Sequence, residues 1–266
     1  MYRAFYSLAH RPFTKEIKAS DMFPSSSFQE CQARLAYLRD NRGIGLIVGE
    51  PGSGKTAALR AFMSALNPAL HSPLYCPLST VTSHDFYRGL AVGLNLQPTY
   101  RKVDLFNQIQ AAVLSSYQGK KVTPFIILDE MHLASSDFLS DLHLLFNFAM
   151  DSVNPFVLVL CGLPQLVVKL SLVSHQPLSQ RIITRYKMQP MTRDEVVAYI
   201  EHHMKLAGAT YPIFSESAVE AIATVSRGLP RLVNNIATTA LVYGCQKGLK
   251  QVNEEAVRLA AVEHGM

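Results

Sequence analysis

The sequence has little cysteine and no apolar run long enough to cross a membrane. Its four cysteines, Cys31, Cys76, Cys161 and Cys245, form no CxxC pair, which argues against a disulfide framework or a cysteine zinc site and favours a reducing compartment. The longest apolar run, PFVLVLCGLP, is far shorter than the roughly 20 residues of a membrane span. The first residues also lack the apolar region of a signal peptide. We therefore expect no membrane contact and a cytoplasmic location.

Charge is also sparse. Charged residues make up 17% of the 266 residues and hydrophobic residues 48%, a balance that supports a sizeable core and excludes a disordered chain. The net charge is +5 and the isoelectric point is about 9.0. This modest basic surplus is compatible with a polyanionic partner but does not require one.

Metal-binding patterns are absent as well. The histidines at positions 84, 132, 143, 175, 202 and 203 show no ligand spacing, and no HExxH occurs. His132 lies close to the acidic pair described below, and we assign it a structural or polar-contact role.

Short apolar runs alternate with helical patterns over the first two thirds of the chain, which predicts a parallel sheet covered by helices. Four of the five runs do not alternate with polar residues, as expected of strands that are buried on both faces. The predicted strands are Ile44–Val48, Leu74–Cys76, Phe125–Leu128, Phe156–Leu160 and Tyr186–Met188. Predicted helices include Lys55–Leu66 and Asp137–Met150, the latter with an apolar stripe typical of core packing.

The sequence pattern changes near Thr192, where Thr192 and Glu195 form a capping box. From there the pattern is helical only, over roughly 193–206, 216–226, 230–247 and 254–263. We predict an α/β core over residues 1–190, with a leader and first helix over 1–40, and a helical lid over 191–266.

A phosphate-binding loop is the most specific motif. The segment GEPGSGKT at 49–56 matches G-x-x-x-x-G-K-[ST] and lies between a predicted strand and a predicted helix. Backbone N–H groups and the helix N-terminus bind phosphates, Lys55 reaches the β- and γ-phosphates, and the Thr56 hydroxyl can ligate Mg²⁺. The predicted nucleotide-binding residues here are Gly49, Glu50, Pro51, Gly52, Ser53, Gly54, Lys55, Thr56 and Ala57.

An acidic pair follows the apolar strand FIIL. Asp129 occupies the position that holds the Mg²⁺ shell, in part through water, and Glu130 is placed to activate an attacking water molecule. The strand near Leu74–Cys76 predicts a strand inserted between those that carry the two motifs. Such an insertion favours ATPases with a catalytic glutamate over nucleoside kinases and Ras-like GTPases.

Two groups of cations are further candidates. Arg231 begins a helix in GLPR, and Arg181 and Arg185 follow the fourth strand. Each could contact a γ-phosphate or remain a solvated helix residue. Arg101 and Lys102, with the loop Thr80–Ser83 and in particular Thr82, are candidate DNA contacts or a solvated basic turn, and Lys120 and Lys121 are weaker candidates.

With these motifs assembled, the chain resembles AAA+ P-loop ATPases, within them the group of ExeA-type ATPases and transposition ATPases of the TnsC, TniB and IstB kind. The resemblance covers the leader with Phe5, Pro12 and Phe13, the two nucleotide motifs, and the segments QRI and SRGLPRLVN. It implies that the leader lies against adenine, that Arg231 is the sensor 2 residue and that Arg181 is the arginine finger. Relatives usually carry Gly-Gln-Pro where this chain has Gly162-Leu163-Pro164, so Leu163 lacks the sensor 1 side chain and Gln165 is a substitute.

The resemblance also implies a function. It predicts an ATPase that uses ATP and Mg²⁺, forms a homo-oligomeric ring or filament on double-stranded DNA, and recruits or regulates a transposase. The alternative is an ExeA-type ATPase that assists assembly of a secretion system, for which we expect a membrane span and a wall-binding region beyond the ATPase core. A nucleotide-gated scaffold with negligible hydrolysis is a third possibility, against which Glu130 argues.

Overall fold

A computed structural model describes residues 2–77 and 82–266 of the chain. These residues divide into two compact units. The α/β unit comprises Glu30–Pro51 and Lys55–Met188, and the helical unit comprises the chain up to Gln29, Gly52–Gly54 and Gln189–Met266.

The α/β unit is built on a parallel sheet of five strands in the order β2-β3-β4-β1-β5. The strands are β1 Gly43–Val48, β2 His71–Pro77, β3 Thr123–Asp129, β4 Val157–Gly162 and β5 Ile182–Lys187. Strands β1 and β4 are buried along their whole length, and β3 is buried after its first residue. The predicted α/β class with a parallel sheet is confirmed.

The predicted position of the inserted strand is wrong. The strand that lies between β1 and β3 is β4, whereas β2, which contains Leu74–Cys76, pairs with β3 at the edge of the sheet formed by the described residues. Pro73 and Pro77 belong to β2, and proline, which has no N–H to donate to a ladder, is confined to edge strands and strand ends. The arrangement with an intervening strand is nevertheless present, because β4 supplies it.

Helices fill the connections between the strands and form the C-terminal segment. They are α1 Tyr2–Phe5, α2 Ser26–Asn41, α3 Lys55–Ala65, α4 Ser83–Gly93, α5 Lys102–Leu114, α6 Ser136–Leu145, α7 Gln165–Leu170, α8 Gln176–Gln180, α9 Arg193–Leu206, α10 Glu216–Ser226, α11 Pro230–Gln246 and α12 Glu254–Glu263. Helix α6 ends at Leu145, before the predicted Met150, and Phe148 already has an extended backbone with φ −108° and ψ 137°. Across residues 2–77 and 82–266, no helix has both the length and the hydropathy needed to cross a bilayer.

The helical unit has its own core, formed by α9–α12 and the leader. Tyr6, Leu8 and Phe13 are buried in it, so the chain up to Gln29 is grouped with the helical unit and not with the predicted core of residues 1–190. The predicted capping box is present: Thr192 Oγ1 accepts from the Glu195 N–H at 3.3 Å, and Glu195 Oε2 accepts from the Thr192 N–H at 2.8 Å. The boundary at residue 190 and the lid function stay predictions.

The core of the helical unit contains a histidine that folding keeps neutral. His203 is 6% exposed, and its ring lies 4.2 Å from that of Tyr199 and 5.5 Å from that of Phe13, between centroids. Burial, with a smaller contribution from the neighbouring His202, lowers the pKa of His203 from 6.5 to about 4. Between these two pH values the unfolded chain binds a proton that the folded chain does not.

We expect the free energy of unfolding to be complete above pH 6.5 and to fall by as much as about 3 kcal/mol as the pH drops to 4. The substitution His203→Phe, which keeps an aromatic ring in the core, should flatten this dependence. Urea unfolding at several pH values measures it, with His10→Asn at an exposed histidine as the control. An equal pH slope in wild type and His203→Phe would contradict the prediction.

Candidate active site

The loop Gly49–Gly54 joins β1 to α3 in a conformation that needs glycine. Gly52 and Gly54 have φ angles of +81° and +94°, a region in which other side chains strain the backbone. Between them, the Ser53 hydroxyl is buried and has no hydrogen-bond partner among the described residues. A buried polar group without a protein partner is unusual and fits a loop that receives a polar ligand.

Lys55 is the first residue of α3 and is only 9% exposed. Its Nζ donates hydrogen bonds to the carbonyl oxygens of Gly49 at 2.8 Å and Glu50 at 3.0 Å. These bonds hold the ammonium group against the start of the loop. The charge that we predict for phosphate binding is therefore oriented by the backbone itself.

Asp129 ends β3 with its carboxylate almost completely buried, at 2% exposure. Its Oδ2 accepts from the Thr56 hydroxyl at 3.0 Å and from the Tyr75 hydroxyl at 2.9 Å, and its Oδ1 accepts from the Glu130 N–H at 2.9 Å. A buried carboxylate needs such donors because it has lost its water. Three segments of the α/β unit thus meet at one carboxylate.

This carboxylate affects the groups beside it. Burial and then the charge of Asp129 raise the pKa of the Tyr75 hydroxyl above its ordinary value. Burial and then Asp129 also raise the pKa of the Cys161 thiol well above its ordinary value. Both groups therefore keep their protons near neutral pH, and Tyr75 stays a donor to the carboxylate.

The oxygens of Thr56 and Asp129 suit a magnesium ion. Hydroxyl and carboxylate oxygens are the ligands that this cation prefers, and here they lie 3.0 Å apart at the end of β3 and the start of α3. The two residues predicted to bind metal are thus brought together by the fold. Their role as ligands stays a prediction.

Glu130 differs from Asp129 in both backbone and exposure. It has φ 59° and ψ 29°, the left-handed region that is rare outside glycine and often occurs at functional sites. Its side chain is 53% exposed, and its Oε2 lies 3.5 Å from Nδ1 of His132. The carboxylate is therefore accessible to a water molecule, as a general base requires.

Arg231 contacts the tip of the phosphate-binding loop within the helical unit. It is the second residue of α11, and its N–H donates to the Gly52 carbonyl at 3.3 Å. A Cβ added to Gly52 would lie 2.8 Å from Cβ of Arg231, so this approach depends on glycine at position 52. The predicted sensor 2 residue is thus next to the loop, while its phosphate contact stays a prediction.

The two candidate finger residues lie on either side of the start of β5. Arg181 lies between α8 and β5, and its Nη1 donates a long hydrogen bond of 3.5 Å to the His143 carbonyl. Arg185 lies within β5, and its Nη2 donates to the carbonyl and the hydroxyl of Ser179 at 2.6 and 2.8 Å. Extension of Arg185 toward another molecule would break these two bonds. The choice between the two arginines stays a prediction.

Two of the candidate DNA contacts, Thr82 and Lys102, are engaged by protein groups. Thr82 caps α4, since its Oγ1 accepts from the Asp85 N–H at 3.2 Å and donates to the Asp85 carboxylate at 2.6 Å. Lys102 forms a 2.6 Å ion pair with Asp141. Arg101 precedes α5 and is exposed. The adjoining Thr80 and Val81 lie outside the described residues.

The end of β4 has no polar side chain at position 163. Leu163 is partly buried, and the substitute that the sequence indicates, Gln165, is exposed at the start of α7. The polar group beside Leu163 is instead the ring of His132, whose Nδ1 lies 3.5 Å from the Leu163 nitrogen.

Tyr75 is a contact of the acidic pair that sequence reasoning did not assign, whereas His132 was assigned a structural or polar-contact role beside the pair. The signal for His132 is its distance of two residues from Glu130. Tyr75 gives no comparable signal, because its contact with Asp129 depends on the parallel pairing of β2 with β3, in which Tyr75 is opposite Ile127. Side chains of alternate residues share a sheet face, which places Tyr75 on the face of Asp129.

A parallel sheet with β4 between the strands that carry the loop and the acidic pair is the arrangement of a P-loop ATPase. The family profile of the AAA domain (AAA_22) matches residues 38–170, half of the chain. The chain belongs to this family and is an AAA+ ATPase.

Comparisons with individual proteins agree with this family. The chain is 30% identical over 268 residues to the general secretion pathway protein A of Aeromonas hydrophila, covering 99% of this chain and 48% of that protein. It thus spans about half the length of the curated relative it matches. Similar solved structures include Cdc6p from Pyrobaculum aerophilum (TM-score 0.69, 19% identity, 98% of this chain, 70% of that chain) and the Aeropyrum pernix ORC1 protein in complex with DNA (TM-score 0.67, 16% identity, 90% and 64%). At these identities the structural likeness establishes the fold alone.

The substitution Glu130→Gln should separate hydrolysis from binding. We expect ATP affinity to change less than about two-fold and turnover to fall by about 100-fold or more, because the amide cannot accept the proton of the attacking water. Lys55→Ala is the contrasting variant, which should lose nucleotide binding. Fluorescent-nucleotide titration and single-turnover hydrolysis measure the two quantities. Normal turnover in Glu130→Gln would remove Glu130 from its role.

Proposed function

We propose that this AAA+ ATPase binds ATP with Mg²⁺ at the loop Gly49–Gly54 and hydrolyses it to ADP and phosphate. The observation that carries the proposal is the group formed by Thr56, Asp129 and Glu130, with a buried acid that can hold a cation and an exposed acid beside it. The cation would neutralise charge on the β- and γ-phosphates. Lys55, whose ammonium group is held beside the Gly49 and Glu50 carbonyls, would bind the same oxygens.

Hydrolysis then needs only one proton transfer to the protein. Glu130 would accept a proton from water as the water oxygen bonds to the γ-phosphorus, and the bond from that phosphorus to the bridging oxygen breaks toward ADP. Arg231 would contact the γ-phosphate from the start of α11. The contact of its backbone with Gly52 supports this assignment, because the same loop would surround the phosphates.

We further propose that copies of the chain assemble, and that Arg181 completes the site of a neighbouring copy. An arginine from outside a nucleotide site stabilises the charge on the transferred phosphoryl group. The resemblance of the QRI segment supports Arg181, and Arg185 is engaged by Ser179, to whose carbonyl and hydroxyl it donates. Such a site works only in the assembled state, so hydrolysis by separate copies would be slow.

The substitution Arg181→Ala should keep ATP binding and reduce turnover by about 1,000-fold. Arg185→Ala is the matched control and should retain turnover. A mixture of Arg181→Ala and Glu130→Gln proteins provides the sharpest test, because an interface between one copy of each can combine an intact glutamate with an intact arginine. We expect the mixture to recover part of the activity in a steady-state ATPase assay. An inactive mixture, or an active Arg181→Ala protein, would contradict the assignment in trans.

For the cellular role, we propose assembly on double-stranded DNA with recruitment or regulation of a transposase. Support comes from the net charge of +5, the exposed Arg101 and the resemblance of the segments around Arg181 and Arg231 to transposition ATPases. ATP-bound copies would assemble, and hydrolysis would release them. This role would place the chain in the cytoplasm, and its DNA contacts would be mainly to the phosphate backbone.

A second candidate is a role in assembly of a secretion system. The observation that favours it is the 30% identity to a general secretion pathway protein over 99% of this chain. Both candidates use the same ATPase chemistry and the same assembly of copies. They differ in the partner, so the response to duplex DNA separates them.

The DNA role predicts that duplex DNA and a slowly hydrolysed ATP analogue together produce rings or filaments that neither produces alone, observed by negative-stain microscopy. Arg101→Ala should weaken binding to all duplex sequences and reduce the slope of log K against log salt by about 0.9, the value for one phosphate contact. Lys102→Met, at a lysine paired with Asp141, should change the slope less. If duplex DNA alters neither assembly nor ATPase rate at low salt, the DNA role is wrong and the secretion role is favoured.

A further inference from the structure

The turn after Glu130 is packed against the end of β4 more closely than most residues would allow. A Cβ added to Gly162 would lie 3.1 Å from the His132 nitrogen and 3.3 Å from the Met131 nitrogen. Lys169, from α7, donates from its Nζ to the carbonyl oxygens of His132 at 2.9 Å and Ala134 at 2.6 Å. The backbone that carries the His132 ring is therefore held from two sides.

The ring itself lies between a donor and an acceptor. Its side chain is 12% exposed, and its Nδ1 is 3.5 Å from the Leu163 nitrogen and 3.5 Å from Oε2 of Glu130. The Leu163 N–H requires a lone pair on Nδ1, whereas the Glu130 carboxylate requires a proton there. A ring nitrogen can provide only one of these at a time, which accounts for two equally long contacts.

We propose that His132 is a positioning residue for Glu130, a role that rests on Glu130 being the general base. With its proton on Nδ1, the ring donates to Oε2 of Glu130 and leaves the other carboxylate oxygen to accept from the attacking water. With its proton on Nε2, the ring accepts from the Leu163 N–H, and Glu130 loses this support. A movement at the end of β4 thereby changes the position of Glu130.

This arrangement explains why an apolar side chain is tolerated at position 163. The communicating group is the Leu163 backbone N–H, which every residue except proline has. Gln165 is exposed two residues further along, whereas His132 contacts both Glu130 and the Leu163 N–H. The histidine therefore supplies the polar group that the Leu163 side chain lacks.

Three substitutions of His132 test the proposal in the full chain. His132→Phe keeps a ring but removes Nδ1, and we expect kcat to fall about ten-fold with KM and Kd for ATP within about two-fold of wild type. His132→Asn places an amide near the position of Nδ1 and should restore most of kcat. His132→Gln places its amide near the position of Nε2, so it is the matched control and should remain as slow as His132→Phe.

Several outcomes would overturn the proposal. They are a wild-type kcat for His132→Phe, equal rescue by asparagine and glutamine, or a loss confined to ATP affinity. If His132→Phe does not fold, as judged by its thermal transition, the ratio of kcat between His132→Asn and His132→Gln decides, and a ratio near one refutes the role. Glu130→Gln distinguishes failure of the proposed function from failure of this inference. Normal turnover in Glu130→Gln would refute both the general-base role of Glu130 and the positioning role of His132. An inactive Glu130→Gln together with wild-type turnover in His132→Phe would refute the positioning role alone.

Discussion

The candidate site depends on the hydrogen bonds that the buried carboxylate of Asp129 accepts. This carboxylate brings together the first turn of α3, the edge strand β2 and the end of β3, through bonds from Thr56, Tyr75 and the Glu130 N–H. A hydrogen bond to a charged group contributes about 1.5–3 kcal/mol, and an unpaired buried charge is far more costly. The position of Asp129 therefore fixes the spacing between the phosphate-binding loop and the residue that follows the strand.

Glu130, the residue after Asp129, has the opposite environment. Its N–H donates to Asp129, and its backbone has a left-handed conformation, after which the next residues turn against β4. The two adjacent acids thus have opposite environments, one enclosed and saturated with donors, the other more than half exposed. A difference in environment of this kind allows neighbouring carboxylates to take different parts in one reaction.

Much of the fold followed from sequence pattern, because buried parallel strands are continuous apolar runs and the phosphate-binding loop has a specific motif. The helices after Thr192 were placed within a residue or two by their caps and glycines. Side-chain pairing was not predictable: the ion pair of Lys102 with Asp141 joins residues 39 apart in the chain. The position of β2 at the edge of the sheet was not predicted, although Pro73 and Pro77 are typical of an edge strand. The roles of the site residues remain predictions, since geometry alone does not establish them.

The edges of the sheet have a consequence for how copies can associate. On one side, two of the seven residues of β2 are prolines. On the other, β5 has the exposed cations Arg185 and Lys187. Missing donors and like charges both oppose strand-to-strand pairing between molecules. Pairing of strands from one molecule to the next is thus disfavoured. If copies of this protein assemble, their dissociation does not require breaking a slow-to-open intermolecular β-sheet.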